Sequence, residues 1–198
     1  ASNEEKLDLM VKAGLISKRE SGGHYDRFRA RVIFPIHDNK GRVIAFGGRL
    51  LDEGEPKYLN SPETPVFHKG SELYNLHRAR SAIAQQQMSI VVEGYMDVLS
   101  LYASGIRNVV SNSGIAITES QIELIWRFFS DPVVCLDGDE SGQSASTRAA
   151  ERLVPLISED NKIYFSILPK GEDPDSFLLK RGKESFERLL DQKTSTLD

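Results

Sequence analysis

From about residue 88 onward, short uninterrupted apolar runs alternate with segments of helical period, and this limits the fold more than any other feature. Residues 89–92, 108–111, 132–136 and 163–168 read as strands whose apolar residues stand next to one another rather than at every second position. Strands of that kind are buried on both faces, which implies an α/β fold: a parallel sheet of about four strands with helices on both sides. Helices are expected at 95–103 and at 118–129, the latter with Thr118 as N-cap and Gln121 three positions on. A third is expected at 141–157, with Ala145, Ala149, Leu153 and Leu156 on its inner stripe. Cys135 falls inside the third strand, where a small buried hydrophobe fits better than a nucleophile. As the lone cysteine it excludes an internal disulfide, so the expected compartment is a reducing cytoplasm.

The front of the chain has a different grain. Residues 4–16 have near-helical spacing of Leu7, Met10, Val11 and Leu15, followed by a polar 17–23 turn. Residues 25–32 then alternate, which places Arg27, Arg29 and Arg31 on one side of an extended segment. Segments 31–36 and 42–51 form an expected hairpin around the 37–41 turn. Residues 52–70 are rich in Pro, Gly, Ser and charge, and a long ordered loop of that kind often carries function. The expected division is a smaller mixed α/β basic subdomain over 1–86 and the parallel sheet over 87–198. The chain has no run of eighteen apolar residues, and Ala1–Glu5 lacks the order of a secretory signal. No membrane partner is expected.

The net charge of −4 hides an asymmetry. Residues 1–80 hold 14 Lys and Arg against 11 Asp and Glu, whereas residues 81–198 hold 11 against 18. That division suits phosphate handling in one part and cation binding in the other. Three expected strands end in acids: Glu93 after the first, Asp137 and Asp139 after the third, Asp173 and Asp175 after the fourth. In an open parallel sheet, ligands bind outside the carboxyl ends of the strands. Carboxylates delivered there from separate strands repel one another, and a hard cation with oxygen ligands resolves the repulsion. Taken singly, Asp139 or Asp173 fits the ordinary role of a helix N-cap better than that of a ligand. His24, His37, His68 and His77 show no paired spacing for zinc.

Val91-Val92-Glu93-Gly94-Tyr95-Met96-Asp97, Cys135-Leu136-Asp137-Gly138-Asp139-Glu140-Ser141-Gly142 and Gly171-Glu172-Asp173-Pro174-Asp175-Ser176 resemble the three motifs of the Toprim domain. Bacterial primases, type IA and II topoisomerases and some nucleases share that domain. The forms Glu-Gly-Tyr-Met-Asp and Glu-Asp-Pro-Asp-Ser are typical of bacterial replicative primases of the DnaG type. Upstream, Arg31-Val32-Ile33-Phe34-Pro35-Ile36, Phe46-Gly47-Gly48-Arg49, Pro56-Lys57-Tyr58-Leu59-Asn60-Ser61-Pro62-Glu63-Thr64 and Phe67-His68-Lys69-Gly70 resemble the segment that precedes Toprim in these primases, which topoisomerases do not carry. The similarity runs from about residue 25 to 190. Two places depart from the family pattern: Ser113-Gly114-Ile115 after the second strand, and Glu140-Ser141 after the Asp-x-Asp pair.

The resemblance implies a primase core that makes short RNA primers for DNA replication by metal-dependent nucleotidyl transfer. Its expected partners are a single-stranded DNA template, ribonucleoside triphosphates and the RNA–DNA hybrid product. Glu93, Asp137 and Asp139 take the catalytic role, and these three with Asp173 and Asp175 form the Mg²⁺ set, with Mn²⁺ as a substitute. Asp97 supports that set from behind. Arg49, Lys57, Asn60 and Lys69 match positions that handle nucleotide, and Arg27, Arg29 and Arg31 match the template surface. A solvated charged face is the plain reading of Arg27, and a β-bulge that of Gly47-Gly48. Family members also carry a zinc-binding domain and a helicase-interaction domain, so zinc and the replicative helicase are expected to belong to segments outside this chain. The alternatives are another Toprim enzyme, nuclease or topoisomerase, and a non-catalytic Toprim module that binds nucleic acid.

Overall fold

The computed structural model describes residues 2–114, 116–138, 149 and 151–195. Its backbone divides into two compact units, residues 1–69 and 70–198.

In the first unit, helix α1 (Asn3–Lys12) opens on a capping box: the Ser2 hydroxyl accepts the Glu5 N–H, and the Glu5 carboxylate accepts the Ser2 N–H. The helix expected to reach residue 16 stops at Lys12, because Gly14 turns left-handed at φ +69°. The chain then enters β1 (Ile16–Lys18), paired antiparallel with β2 (His24–Asp26). The extended 25–32 segment is also corrected. It breaks at Ala30, whose φ of 52° takes the backbone out of the strand region, so the three arginines do not share one face. Strands β3 (Arg31–His37), β4 (Val43–Leu50) and β5 (Tyr58–Asn60) follow as an antiparallel sheet in that order. Asp38 fixes the β3–β4 turn by accepting the N–H groups of Lys40 and Arg42 and the Arg42 guanidinium.

The second unit starts at Gly70 and takes in α2 (Leu76–Gln86), assigned from the sequence to the front part. Leu76, Ala79 and Ile83 draw it there, buried in one core with Val91, Val110 and Val134. The sheet runs β10-β9-β8-β6-β7. Strands β6 (Ile90–Val92), β7 (Val109–Ser111), β8 (Val133–Leu136) and β9 (Tyr164–Ile167) are parallel, and β10 (Thr194–Ser195) lies antiparallel on the β9 edge. Alternate strand residues feed two cores, as the uninterrupted apolar runs require. Val91, Val134 and Leu136 face α2 and α4 (Glu119–Trp126). Ile90, Val92, Val133 and Cys135 face α3 (Tyr95–Ala103), α5 (Pro174–Arg181) and α6 (Lys183–Asp191). The Thr118–Gln121 capping box opens α4 as expected. Of the expected 141–157 helix, residues 141–148 and 150 lie outside the described residues; Ala149 and Leu153 are buried in the first core, and Val154–Leu156 forms a 3₁₀ turn.

Strand β6 lies between β7 and β8, so the chain leaves it to one side and returns to the other. The helices α3 and α4 that make those two crossings cover opposite faces. Such a reversal opens a crevice at the carboxyl ends of the two strands that flank it.

Candidate functional site

Glu93 and Asp137 stand at that reversal, each one residue beyond its strand, and the Asp137 N–H points to the Glu93 Oε1 at 3.5 Å. The Glu93 backbone is anchored: its carbonyl accepts the Ser111 hydroxyl at 2.9 Å and the Gly114 N–H at 2.8 Å. One turn into α3, the Asp97 carboxylate accepts the Gly94 N–H at 2.9 Å. Burial is the main force that pushes this carboxyl up to about 7, with the charges of Asp173, Glu93 and Asp175 adding to it against the Gly94 bond. The buried Cys135 thiol is pushed up as well, first by burial and then by Asp137, Asp97 and Glu93. Acids from three strand ends therefore act on a common neighbourhood.

Asp173 has a local job. Its carboxylate accepts the Ser176 N–H at 2.7 Å and caps α5, the ordinary role open to it from sequence. Asp175 accepts the Ser100 hydroxyl of α3 at 2.6 Å, which ties the two helices together. Asp139 lies outside the described residues. Among the described residues, no three His, Cys, Asp or Glu side chains are arranged as a ready metal-ligand set. The donors that do approach one another are all carboxylate oxygens, a chemistry that suits Mg²⁺ or Mn²⁺ and not a thiolate- or imidazole-bound metal.

The loops beyond β8 and β9 touch backbone to backbone. Gly138 N–H donates to the Glu172 carbonyl and Gly171 N–H to the Gly138 carbonyl, both at 2.9 Å. A Cβ on Gly138 would run into the Pro169 carbonyl, so this position requires glycine for close approach. Glu172, which the sequence reading left without a role, is buried against Arg181 at 3.1 Å and Lys180 at 3.7 Å. Its place beside Asp173 in the third motif was the available signal. Ser100 and Ser111, which also buttress the acids, had none, because their partners are remote in sequence.

In the first unit the basic residues divide into two groups. Arg31 donates to the carbonyls of Pro56 (2.6 Å), Lys57 (3.1 Å) and Gly48 (3.3 Å), and Arg27 to that of Asn60 (3.2 Å). Both guanidinium groups thus clamp the backbone that carries Lys57 and Asn60. Exposed Arg29 instead lies over the Tyr25 ring at 5.4 Å. Gly48 marks close packing rather than a bulge: a Cβ there would meet Phe28 at 2.9 Å and Arg31 at 3.0 Å, and the register shift lies between Ile36 and His37. Arg49 has a buried Nε with no hydrogen-bond partner among the described residues. The Lys69 turn is held by Glu63, which accepts the Lys69 N–H at 3.1 Å and the His68 Nδ1–H at 3.0 Å. Those bonds, led by the one from Lys69, keep the Glu63 carboxyl below its ordinary value.

The family model for the DNA primase catalytic core, N-terminal domain, matches residues 1–80, and the Toprim-like model matches residues 90–178. The DNA primases of Pseudomonas aeruginosa and Escherichia coli K12 are 46% and 45% identical to the chain, over 97% and 96% of it. The chain spans 29% and 33% of their respective lengths. Among solved structures, a DNA primase domain from Pseudomonas aeruginosa superposes with a TM-score of 0.92 at 46% identity, over 96% of this chain and 60% of that one. The Escherichia coli primase catalytic core gives 0.92 at 44%, over 98% and 62%. A DnaG primase catalytic domain solved bound to ssDNA gives 0.91 at 43%, over 98% and 63%. With both family models in their expected order and the strand ends arranged as described, the chain belongs to the DnaG primase catalytic-core family.

Proposed function

We propose that this chain carries out the nucleotidyl transfer of a primase, joining ribonucleotides into a short RNA primer on a single-stranded DNA template. The observation that carries the reading is the meeting of Glu93 and Asp137 at the sheet's reversal, beside Asp97, whose carboxyl is raised by burial first and then by the charges of Asp173, Glu93 and Asp175. Carboxylates so crowded are stabilised by a hard divalent cation, and Glu93, Asp137, Asp139, Asp173 and Asp175 would hold Mg²⁺, with Mn²⁺ as a substitute. When bound, the metal supplies Lewis-acid stabilisation of the phosphoryl oxygens and of the attacking 3′-oxygen. Glu93, its backbone anchored through its carbonyl, would offer its carboxylate to the ion, and Asp97 supports the adjoining Gly94 backbone from α3.

The basic residues of the first unit take the phosphates. Arg49 offers a donor that a phosphate oxygen would satisfy, with Lys57 and Lys69 as further cations and Asn60 as a hydrogen-bonding partner. Arg29 is the template contact of choice, because Arg27 and Arg31 spend their guanidinium groups on the Lys57–Asn60 backbone. The ssDNA-bound relative supports a single-stranded partner, and phosphate neutralisation there gives salt-sensitive, sequence-tolerant binding. Ribonucleoside triphosphates, the hybrid product, a helicase reached through another domain and a cytoplasmic, replication-fork setting complete the proposal.

The test measures primer synthesis and cation binding together. Glu93→Gln and Asp137→Asn should each lower synthesis by at least ~10³-fold, about 4 kcal/mol of barrier. Both should also reduce the rise in melting temperature on adding Mn²⁺. Full activity in either variant with Mg²⁺ would remove the assignment. Degradation of nucleic acid without nucleoside triphosphates would mark a Toprim nuclease instead.

A further inference from the structure

Glu172 is a buried acid on the same face whose charge the proposed chemistry does not use. Its carboxylate is 9% exposed; its Oε1 accepts a hydrogen bond from Arg181 at 3.1 Å and forms an ion pair with Lys180 at 3.7 Å, both in the last turn of α5. The Arg181 guanidinium is further fixed over the Phe177 ring at 5.1 Å. Through its backbone, Glu172 receives the Gly138 N–H, while neighbouring Gly171 donates to the Gly138 carbonyl. Asp137 is one residue from that junction and Asp173, which caps the first turn of α5, is one residue from Glu172. Because the Gly138 backbone packs against Pro169 with no room for a Cβ, the junction has no slack to absorb a shift.

We infer that Glu172 is a positioning residue: gripped by Arg181 and Lys180, it sets the distance between the Asp137 loop and the Asp173 turn, and thereby the affinity for a divalent cation. The inference rests on the metal reading above. Glu172 acts on the metal through the two loops: Arg181 and Lys180 hold its Oε1, and its buried Oε2 has no hydrogen-bond partner among the described residues. Supporting groups of this kind alter metal affinity by roughly 10- to 100-fold.

The test is a Mn²⁺ titration of the whole chain followed by electron paramagnetic resonance, with folding checked by circular dichroism. Glu172→Ala should weaken Mn²⁺ binding by about tenfold, and Glu172→Gln, which keeps the size, by a smaller factor. The decisive variant is Lys180→Ala/Arg181→Ala. Removing two positive charges would tighten Mn²⁺ if charge alone mattered; if position matters, binding weakens as in Glu172→Ala. Tighter binding by the double variant, or unchanged affinity in folded Glu172→Gln, overturns the inference. Failure of the wild-type chain to bind Mn²⁺ overturns the metal reading itself, whereas normal wild-type binding with indifferent variants overturns only the role of Glu172.

Discussion

In the second unit the acids leave parallel strands at their carboxyl ends, whereas in the first unit the basic groups lie on an antiparallel sheet and loops whose backbone is clamped by Arg27 and Arg31. The acids are positioned by topology: a strand that ends at the reversal delivers its next residue to the crevice whatever its side chain. The basic residues are positioned by side chains that reach 25 to 33 residues along the chain to find carbonyls. The two arrangements should fail differently. Damage to the second unit should fall on the fold and the cation together, and damage to the first on nucleotide handling with the fold largely kept.

The largest effect is expected at Gly138. Alanine there forces a methyl into the Pro169 backbone, a neighbour that cannot rotate away. Gly138→Ala should destabilise the second unit by about 3 kcal/mol or more, read as a lower melting temperature with loss of Mn²⁺ binding. A stable, metal-binding Gly138→Ala would show that the β8 and β9 loops have slack after all.

Next comes a pH effect confined to the acidic face. The Asp97 carboxyl is raised from 3.8 to about 7, so the folded chain holds its proton across a range where the unfolded chain has lost it. Stability with chelator present should therefore be highest near pH 4 and decline as pH rises to about 7, by at most about 4 kcal/mol. Asp97→Asn should flatten that slope in a urea-denaturation series at several pH values. A chelated wild-type chain whose stability does not fall between pH 4 and 7 would contradict the burial of Asp97 beside the other acids.

The first unit's counterpart is Arg31→Ala. It removes donors to three backbone carbonyls that water can partly replace, so about 1–2 kcal/mol is the expected cost. The larger consequence should be a several-fold rise in KM for nucleotide with kcat nearly kept, because the loop that carries Lys57 loses its clamp. Equal losses in kcat and kcat/KM, with KM unchanged, would place Arg31 in the chemistry rather than behind it.

Periodicity made the second unit readable. Apolar runs marked strands β6 to β9; Glu93 and Asp137 directly follow β6 and β8, and the β9-end acids lie in the turn beyond β9, so these acids followed from the pattern plus a rule about sheets. The cap role of Asp173 was legible as an alternative, and the structure realises it. The first unit was less legible because one residue decided the outcome. Ala30 at φ 52° gives no warning in its residue type, yet it breaks the alternation that aligned Arg27, Arg29 and Arg31. The clamping bonds were hidden for a related reason: a long-range arginine-to-carbonyl contact leaves no periodic trace. The same holds for Gly48, which reads from sequence as a bulge, and for Gly138: the structure uses both for close approach.

The smallest expected effect isolates positioning in the first unit from stability. Glu63 is exposed, and its carboxylate holds the Lys69 turn through the Lys69 N–H and the His68 ring. Since those bonds lower its pKa, their contribution is present above the ordinary carboxylate value of 4.5 and is lost as pH falls through the lower folded value. Solvent screens this pair, so Glu63→Gln should change stability by less than about 0.5 kcal/mol at neutral pH. If the turn serves to present Lys69, the same substitution should still weaken nucleotide binding by about two- to threefold, an energy of about 0.5 kcal/mol that calorimetry resolves. His68→Ala, which leaves the Lys69 N–H bond in place, should weaken it less. Should His68→Ala cost more than Glu63→Gln, the ring and not the backbone bond holds the turn, and the first unit would then place Lys69 by side-chain contact alone.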